Sequence, residues 1–533
     1  MPPIGYAHRP VAMGREGMVA SAHPLATLAG IEVLKSGGTA ADAAVATNAL
    51  LAVTQPHMCG LGGDLFMLYY EAATGRIHFL SGAGRSGSRA SLPELARRGL
   101  SRLPSVGPAS VSVPGCVRAW GMLLERFGTH RLGDLLSPAI HYAEAGFPTT
   151  PLLSQSIAEQ SSLIPDAEWH RIFTPGGRTP QAGEFLHQAD LALTLKDLAN
   201  EGPDLFYRGR IAKTIARRLE SEGFVTAEDL AAHSGEWGDP LSTSYRGYTI
   251  YEPPLPTQGL AALLALNLVE GFDLGKMAYQ SVDHLHLLVE MVKLAYADRD
   301  RWIADPAHAR LPVDQLLSKA YAARRRTAFD PKKAQRYRWG DPTGDTTGFV
   351  IADRHGNIIS VIQSLFRVFG SGVVPERTGV ILHNRGSYFS MDPSHPNCFG
   401  PRKRPFHTLI AALITRDARP VLGFATMGSE GQAMFHLQVL TNVLDFGMEI
   451  QEAIDRPRFL MGRFTPDDLG ADILWLEGRI ARRTVTGLAR RGHRVEVVSD
   501  FFFRMGHAQG IVVRDGTFMG GADPRGDGMA LGY

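Results

Sequence analysis

Gly344-Asp345-Thr346-Thr347-Gly348-Phe349-Val350-Ile351-Ala352-Asp353 is the stretch that decides the fold of this chain. The apolar residues after Thr346 predict a strand, a turn follows at 354–357, and a second apolar run predicts a partner strand over 358–363. A threonine that opens a buried strand this far along the chain raises the hypothesis that the chain cuts itself before Thr346. The new α-amine, with a reference pKa of about 8, can then act as base for the threonine hydroxyl.

The neighbours of Thr346 strengthen this hypothesis, because threonine by itself is simply a common strand residue. Asp345 can polarise the peptide bond that would be broken, and Gly344 gives the backbone room for an unusual geometry. Ser364 lies on the predicted partner strand, within reach of the Thr346 amine or hydroxyl if the hairpin register allows it. Asp345 and Thr346 are therefore the candidate cleavage site.

Gly428-Ser429 lies between a predicted strand and a predicted helix. Backbone N–H groups at such a junction are free of strand or helix bonds and can bind an oxyanion, a contribution of about 3 kcal/mol per donor in known cases. The alternative is an ordinary strand-to-helix turn.

Composition excludes several classes of protein. The 533 residues are 44% hydrophobic, which is ample for a large core and gives about three domains as a first expectation. A net charge of +2 offers no electrostatic case for nucleic acid or a membrane surface as partner. The basic runs at 324–326 and 332–333 are interpreted as solvated loops.

The three cysteines, Cys59, Cys116 and Cys398, are far apart and lack C-x-x-C spacing. This predicts buried thiols and argues against a disulfide framework or a structural zinc site. No apolar run approaches the length that spans a bilayer, and the N-terminus lacks the apolar core of a signal peptide. A cytoplasmic enzyme is the default expectation, with a removed signal peptide left open.

The apolar periodicity predicts a layered α+β arrangement, with helices packed outside sheets. Residues 318–345, rich in Arg and Lys, are interpreted as a mobile basic connector. Helices are predicted over 25–35, 40–53, 117–127, 191–200, 211–222, 282–298 and 432–446, and strands over 65–70, 77–80, 349–352, 358–363, 379–382, 409–415 and 421–426.

A possible metal motif, His284-x-His286 with Glu290, lies within one predicted helix. The two histidines face different sides of that helix, so a surface helix is the preferred interpretation and no metal site is predicted. The glycine turn at 60–63 lacks a following Lys-Ser/Thr pair, which argues against phosphate binding.

Several short motifs occur in an order that is similar to that of the γ-glutamyltranspeptidase family, a branch of the N-terminal nucleophile hydrolases. The resemblance covers nearly the whole chain, and the number of motifs in order makes it specific. The motifs are Ser36-Gly37-Gly38-Thr39-Ala40-Ala41-Asp42-Ala43-Ala44-Val45-Ala46, Gly60-Leu61-Gly62-Gly63-Asp64-Leu65-Phe66-Met67, Val113-Pro114-Gly115, Tyr245-Arg246-Gly247-Tyr248, Ala297-Asp298-Arg299, Asp345-Thr346-Thr347, Arg404-Pro405 and Asp523-Pro524-Arg525.

The resemblance implies a four-layer αββα sandwich made as an inactive precursor. Cleavage would give a large fragment, 1–345, and a small fragment, 346–533, which together form one intertwined domain. The assembly would be a heterodimer of these fragments or a dimer of such heterodimers, with no metal or organic cofactor. Matched by position, Thr346 takes the nucleophile role, Ser364 supports it, and Gly428 and Ser429 take the oxyanion role.

The substrate-facing positions depart from the family pattern. The family arginine that holds a glutamyl carboxylate matches Ala83, with Arg85 two residues on. The family residues that accept the α-amine match Phe366, Arg385 and Tyr388. An aromatic and a cationic side chain at these positions predict poor binding of a glutamyl ammonium group, because like charges repel.

Two consecutive serines of the family match His407-Thr408. Together with Arg385, which can pair bidentately with a carboxylate, they favour an anionic acyl group without an α-amine. The alternatives are that Arg385 pairs with a structural acid and that His407 caps a turn. The sequence around these positions is more similar to that of the family's non-transpeptidase branch, which includes oxamate amidohydrolase and cephalosporin-type acylases.

The resulting hypothesis is an autoprocessed amidohydrolase that uses an N-terminal threonine on a small anionic acyl amide, oxamate-like or glutaryl-like. One alternative is a γ-glutamyltransferase or glutathione hydrolase. Another is an unprocessed, non-catalytic homologue that acts as a binding protein. The sequence gives neither the leaving amine, nor whether an acceptor amine replaces water, nor the oligomeric state.

Overall fold

The computed structural model describes residues 8–335, 345–462 and 473–533. Within these ranges two seven-stranded antiparallel sheets stack on each other, in the orders β1-β18-β17-β13-β12-β9-β8 and β19-β2-β10-β11-β3-β4-β7. The strands are β1 (Ala12–Gly14), β2 (Gly17–Ser21), β3 (Asp64–Glu71), β4 (Arg76–Ser81), β5 (Phe147–Pro148), β6 (Phe185–Leu186), β7 (Glu236–Gly238), β8 (Leu241–Tyr245), β9 (Tyr248–Glu252), β10 (Asp345–Asp353), β11 (Ile358–Phe366), β12 (Ala411–Arg416), β13 (Arg419–Thr426), β14 (Phe459–Met461), β15 (Ile473–Glu477), β16 (Arg494–Val498), β17 (Ala508–Arg514), β18 (Thr517–Ala522) and β19 (Met529–Gly532).

Helices cover the outer faces of both sheets. They are α1 (Pro24–Lys35), α2 (Ala40–Thr54), α3 (Leu92–Arg97), α4 (Cys116–Phe127), α5 (Leu132–Ala145), α6 (Pro151–Ser161), α7 (Ala167–Phe173), α8 (Ala189–Glu201), α9 (Asp204–Arg208), α10 (Arg210–Leu219), α11 (Ala227–Ala231), α12 (Gly259–Val269), α13 (Val282–Trp302), α14 (Val313–Leu317), α15 (Lys319–Arg326), α16 (Gln432–Leu444), α17 (Ile450–Asp455) and α18 (Arg482–Arg490).

Strand β10 explains why the layers form, since its residues alternate between two buried faces. Val350 and Ala352 pack between the sheets, against residues such as Ala425 of β13. Phe349 and Ile351 face the other way and join the core beneath α1 and α2. The sequence of a strand that is buried on both faces is a continuous apolar run, as it is here. The α+β sandwich expected from the resemblance is confirmed.

Helix α2 lies in the middle of one helical layer, which is why it is so rich in alanine. Every residue of it is buried, and it packs against α1 and α5. Thr39 and Asp42 form a capping box at its start, each side chain bonding to the backbone N–H of the other. The small side chains let the neighbouring helices approach closely. Helix α2 ends at Thr54, one residue later than predicted.

Two sequence predictions of local structure are wrong. Residues 379–382 form no strand. Leu382 makes only an isolated bridge with Gly62, because its carbonyl and N–H groups bond to Ser371 and Val373 of a neighbouring loop instead of to a strand. The basic run at 324–326, interpreted as a solvated loop, instead ends helix α15 (Lys319–Arg326), which Ser318 caps. The part of the connector at 336–344 lies outside the described residues.

The interpretation of 282–298 as a surface helix is also wrong. Helix α13 is buried along most of its length, and His284, His286 and Glu290 are all inaccessible. Partners distant in sequence cover them: the His493 ring is 2.8 Å from His286 Nδ1, and the Gln335 N–H donates to Glu290 at 3.1 Å. The spacing of apolar residues predicted the helix. Its burial could not be predicted in this way, because it depends on residues far away in the sequence.

Among the described residues, no helix combines the length and the apolar character needed to cross a membrane. Cys59 and Cys116 are buried as predicted, whereas Cys398 is half-buried. All three thiols are free.

The buried histidine His57 gives a prediction about stability in acid. Its ring is fully buried, neither nitrogen has a hydrogen-bond partner in the described part of the chain, and burial lowers its pKa from 6.5 to about 3. Below pH 6.5 the unfolded chain binds this proton and the folded chain does not, so the group destabilises the fold by about 1.4 kcal/mol for each pH unit. We expect His57→Leu to become progressively more stable than the parent as pH falls from 6.5 to 5.

Thermal or urea unfolding at several pH values measures this difference. His141→Leu is the matched control, since the His141 side chain is exposed and its replacement is expected to leave the pH dependence of stability unchanged. A constant difference between His57→Leu and the parent across this pH range would contradict the prediction.

Candidate active site

Thr346 lies at the start of β10, opposite a β-bulge in β11. Asp345 pairs with Phe366 and Thr347 with Gln363, so Thr346 faces two residues of β11, Ser364 and Leu365, between these registered pairs. Bulges commonly re-aim a side chain next to a functional site. Thr346 is buried, and its Oγ lies 3.2 Å from Oγ of Ser364 on the neighbouring strand. The structure therefore brings together the two hydroxyl groups that the sequence predicted to interact.

Two glutamine side chains donate hydrogen bonds around Thr346. Gln432, at the start of α16, places its Nε2 3.4 Å from Thr346 Oγ. Gln258 donates from Nε2 to the carbonyl oxygens of Thr408 (2.8 Å) and Ser429 (2.7 Å). Gln258 thus fixes both the predicted oxyanion turn and the predicted substrate segment. Neither glutamine was a candidate from the sequence, because nothing local marks it.

The turn at 428–431 follows β13 as a single 3₁₀ turn. Gly428 has φ +132°, and a Cβ there would lie 2.5 Å from the Phe435 ring, so only glycine fits. Ser429 has φ +51°, a region that non-glycine residues rarely occupy. Its N–H donates to no acceptor in the described part of the chain, and its Oγ is also buried without a partner. The turn therefore presents a free donor, as an oxyanion site requires.

Arg385 is fully buried in a polar pocket close to the Thr346–Ser364 pair. Its Nη1 donates to Oγ of Thr408 at 3.0 Å, whereas Nε and Nη2 have no hydrogen-bond partner among the described residues. These two nitrogens form one edge of the guanidinium, the edge that pairs side-on with a carboxylate. The guanidinium carbon stacks 4.2 Å from the centre of the Phe366 ring.

Phe366 connects this pocket to the hydroxyl pair. Its backbone N–H donates to Ser364 Oγ at 2.6 Å, while its ring supports Arg385. The residue has φ +82°, a strained value that turns the chain sharply at the end of β11. The ring of Tyr388 packs edge-on at 4.8 Å from Phe366. The structure thus places Phe366, Arg385, Thr408 and Tyr388 around one pocket.

An acid that the sequence analysis did not assign, Asp64, lies in the same pocket. It opens β3, directly opposite Ser364, and is fully buried. Its Oδ2 lies 4.0 Å from Arg385 Nε, 3.9 Å from His407 Nε2 and 3.4 Å from His383 Nδ1. A charged residue at the start of a buried apolar strand is the signal that would have identified Asp64 as a candidate.

Burial controls the protonation of these groups. It raises the pKa of Asp64, against the opposing effect of His383 and Arg385, and lowers the pKa of Arg385 to about 10. It also lowers the pKa of His383 and places that of His407 well below its usual value. Both imidazoles are therefore neutral at pH 7, and Arg385 is the cation of the pocket. Neither nitrogen of His407 has a partner in the described part of the chain.

Arg85 lies apart from this pocket. Its guanidinium pairs with Asp305 at 3.0 Å and Glu236 at 3.1 Å, and Arg404 also contacts Glu236. These pairs form a separate ionic cluster at the surface, since the Arg85 side chain is 33% exposed. The role of Arg85 as a substrate-binding residue stays a prediction that none of these contacts supports.

Two stacked antiparallel sheets flanked by helices, with a threonine beginning a central strand, define the fold of the N-terminal nucleophile hydrolases. Comparison with known proteins narrows this class. A family model described as gamma-glutamyltranspeptidase matches residues 26–533. The chain is 39% identical over 529 residues to the glutathione hydrolase-like YwrD proenzyme of Bacillus subtilis (strain 168), covering 98% of this chain and 99% of that protein.

Two further relatives cover almost the whole chain. The oxamate amidohydrolase proenzyme of Klebsiella pneumoniae is 36% identical over 527 residues, covering 97% of this chain and 98% of that protein. The crystal structure of cephalosporin acylase from Bacillus halodurans matches with a TM-score of 0.92 and 36% identity, covering 100% of this chain and 98% of that one. The chain belongs to the γ-glutamyltranspeptidase family and is an enzyme, a hydrolase of that family, as the resemblance predicted.

Proposed function

We propose that the chain is an autoprocessed amidohydrolase in which Thr346 cleaves the amide bond of a small acyl amide that carries a carboxylate. The observation that supports this substrate most directly is that Nε and Nη2 of the buried Arg385 have no hydrogen-bond partner in the described part of the chain. Phe366 lies between Arg385 and the Thr346–Ser364 pair: its ring stacks on the guanidinium, and its N–H donates to Ser364 Oγ. A buried cation with two unsatisfied donors is costly unless an anion binds it. The bound acyl group supplies that anion.

In maturation, Oγ of Thr346 attacks the carbonyl carbon of Asp345. The C–N bond breaks, the nitrogen takes the hydroxyl proton, and an ester joins the two fragments. Water then hydrolyses the ester, leaving a carboxylate on Asp345 and a free α-amine on Thr346. The 3.2 Å contact with Ser364 Oγ orients the attacking hydroxyl for this step.

In turnover, the α-amine of Thr346 takes the proton from Oγ as this oxygen attacks the substrate carbonyl. The N–H of Ser429 and the backbone around Gly428 stabilise the tetrahedral oxyanion. The amine or ammonia leaves with one proton, an acyl-enzyme ester remains on Thr346, and water hydrolyses it to the free acid.

The names of the relatives support both halves of this proposal. One relative is named an oxamate amidohydrolase and a structural neighbour is named a cephalosporin acylase, and several of the names include the word proenzyme. Oxamate carries a carboxylate next to its amide, a group that the unpaired edge of Arg385 can bind.

Hydrolysis of glutathione or another γ-glutamyl amide is the second candidate, because one relative is named glutathione hydrolase-like. The pocket argues against efficient use of these substrates. Phe366 and Tyr388 form an aromatic pair, and Arg385 is cationic, at the positions that the resemblance assigns to the α-ammonium group. The interpretation as a non-catalytic binding protein is set aside, because the relatives are hydrolases.

A substrate panel on the purified, processed protein tests the proposal. We expect the kcat/KM of oxamate, followed by ammonia release, or of glutaryl p-nitroanilide to exceed that of γ-glutamyl p-nitroanilide by at least about tenfold, the effect of one misplaced like charge. Glutathione turnover as fast as that of the best anionic acyl amide would contradict the proposed specificity while leaving the threonine mechanism intact.

A further inference from the structure

Asp64 is a buried carboxyl group beside Arg385 that the proposed mechanism does not use. It lies directly opposite Ser364 in the antiparallel β3–β11 pair. Residues opposed in this way project to the same face of a sheet, with Cβ atoms about 5 Å apart. The Asp64 carboxyl group therefore lies on the same side as the Ser364 hydroxyl that contacts Thr346.

The two oxygens of Asp64 have different surroundings. Oδ1 accepts a hydrogen bond from the N–H of Gly84 at 3.2 Å. Oδ2 has no hydrogen-bond partner in the described part of the chain, although His383, Arg385 and His407 each place a nitrogen 3.4–4.0 Å away. These separations are too long for good hydrogen bonds, so the three groups surround Oδ2 without satisfying it.

The tautomer of His383 indicates which form of Asp64 fits. His383 Nε2 lies 3.0 Å from the Ser112 carbonyl oxygen, to which it must donate, and its Nδ1 accepts from the Arg385 N–H at 3.2 Å. Nδ1 therefore carries a lone pair that faces Oδ2. Two lone pairs at 3.4 Å repel, whereas a proton on Oδ2 points favourably at this nitrogen.

We propose that Asp64 is a specificity-determining residue that must carry a proton for the pocket to accept the carboxylate of an anionic acyl group. This rests on the proposed function. Two carboxylates beside one arginine repel, and one of them is then driven to protonate. With its proton, Asp64 removes this repulsion, and the full positive charge of Arg385 faces the substrate.

Above the pKa of Asp64, binding of the anionic acyl group then takes up one proton from solvent, which returns when the product acid leaves. Burial raises the pKa of Asp64, so the acid form persists to higher pH than in an exposed aspartate. Above that pKa, affinity for an anionic acyl group falls by about tenfold for each pH unit. The charged or titratable groups that face Asp64 are His383, Arg385, Arg404 and His407, with Cys116 and Tyr207 on the side of α4 and α9.

The test compares two isosteric substrates, the p-nitroanilides of glutaric acid and of its monoamide, which differ only by a carboxylate against a carboxamide. Their kcat/KM ratio cancels the titration of the Thr346 amine. In the wild-type enzyme we expect this ratio to fall with rising pH by up to about tenfold per unit, and in Asp64→Asn to be independent of pH. At high pH, Asp64→Asn is expected to exceed the wild type on the glutaryl substrate.

Glu252→Gln is the matched control. Glu252 is also fully buried, with a pKa raised by burial and a histidine, His436, 2.7 Å away, but it has none of the pocket contacts. Its replacement is expected to preserve the wild-type slope. A second measurement uses only the wild-type enzyme. Above the pKa of Asp64, calorimetric binding of glutarate in two buffers of different ionisation enthalpy is expected to show uptake of close to one proton.

The outcomes separate the two proposals. Hydrolysis of both anilides with a ratio that does not depend on pH, or the same slope in Asp64→Asn and the wild type, overturns the role of Asp64 and leaves the proposed function standing. Glutarate binding without proton uptake above the Asp64 pKa also overturns it. If the wild type hydrolyses neither anilide nor oxamate, both proposals fail.

Discussion

Replacing Thr346 with alanine is expected to leave one chain of 57.9 kDa with no measurable amidase activity. The substitution removes the attacking oxygen for both maturation and turnover, and without cleavage the α-amine stays in a peptide bond. Loss of a covalent nucleophile reduces kcat by at least about a thousandfold in other hydrolases. Mass spectrometry measures the cleavage, and N-terminal sequencing of the wild-type protein is expected to find a new chain that begins Thr-Thr-Gly-Phe.

Thr347→Ala is the control for this prediction. Thr347 is equally buried, but its hydroxyl donates to Gln55 Oε1 at 3.1 Å rather than to the site, so cleavage and activity are expected to persist. Ser364→Ala removes one hydrogen-bond partner of Thr346, worth about 1 kcal/mol, and is expected to slow cleavage roughly fivefold without abolishing it. Splitting of the Thr346→Ala chain at the same bond would show that another group performs the cleavage.

Replacing Arg385 with glutamine is expected to reduce kcat/KM for an anionic acyl amide by roughly 30-fold to a few thousandfold. Removal of one member of a buried charged pair costs about 2–5 kcal/mol, and here the substrate carboxylate loses both donors of the guanidinium edge. The loss is expected mainly in KM, because Arg385 holds the acyl group in the ground state and the transition state alike. Cleavage of the precursor is expected to proceed, since this step needs no substrate.

Two further variants serve as references for the loss of activity in Arg385→Gln. Arg385→Lys keeps the charge but lacks the planar edge, and is expected to lie between Arg385→Gln and the wild type. Arg76→Gln removes an exposed arginine, 62% accessible and paired with Asp239 at the surface, and is expected to change nothing. Equal activity of wild type and Arg385→Gln on oxamate and glutaryl p-nitroanilide would show that the carboxylate binds elsewhere.

Much of the fold could be predicted from the chain because its elements are long and strongly patterned. Helix α2 and the β10–β11 hairpin lie within a few residues of the predicted bounds. Period and turn residues are local signals, and they survive in any tertiary context. The predicted strand at 379–382 failed because a short apolar run does not specify whether a partner strand lies beside it.

The site was only partly predictable. Thr346, Ser364 and the Gly428-Ser429 turn were candidates because position and chemistry mark them, and the structure brings them close to one pocket; their catalytic roles stay predictions. Asp64, Gln258 and Gln432 were missed, since each acts through contacts with residues far away in sequence. Arg85 was chosen by its position in a motif, yet its charge is balanced within a different cluster.

The sequence by itself determined the layered α+β architecture, the family, and the threonine on which the proposed chemistry depends. These follow from periodicity and from motifs that are written in consecutive residues. Only the tertiary structure decided which charged groups lie together, namely that Arg385 has an unpaired edge and that Asp64 lies beside it. It also decided that helix α13 is buried along most of its length. Charge and burial depend on distances between residues far apart in the chain, and the packing of the sheets and helices fixes those distances.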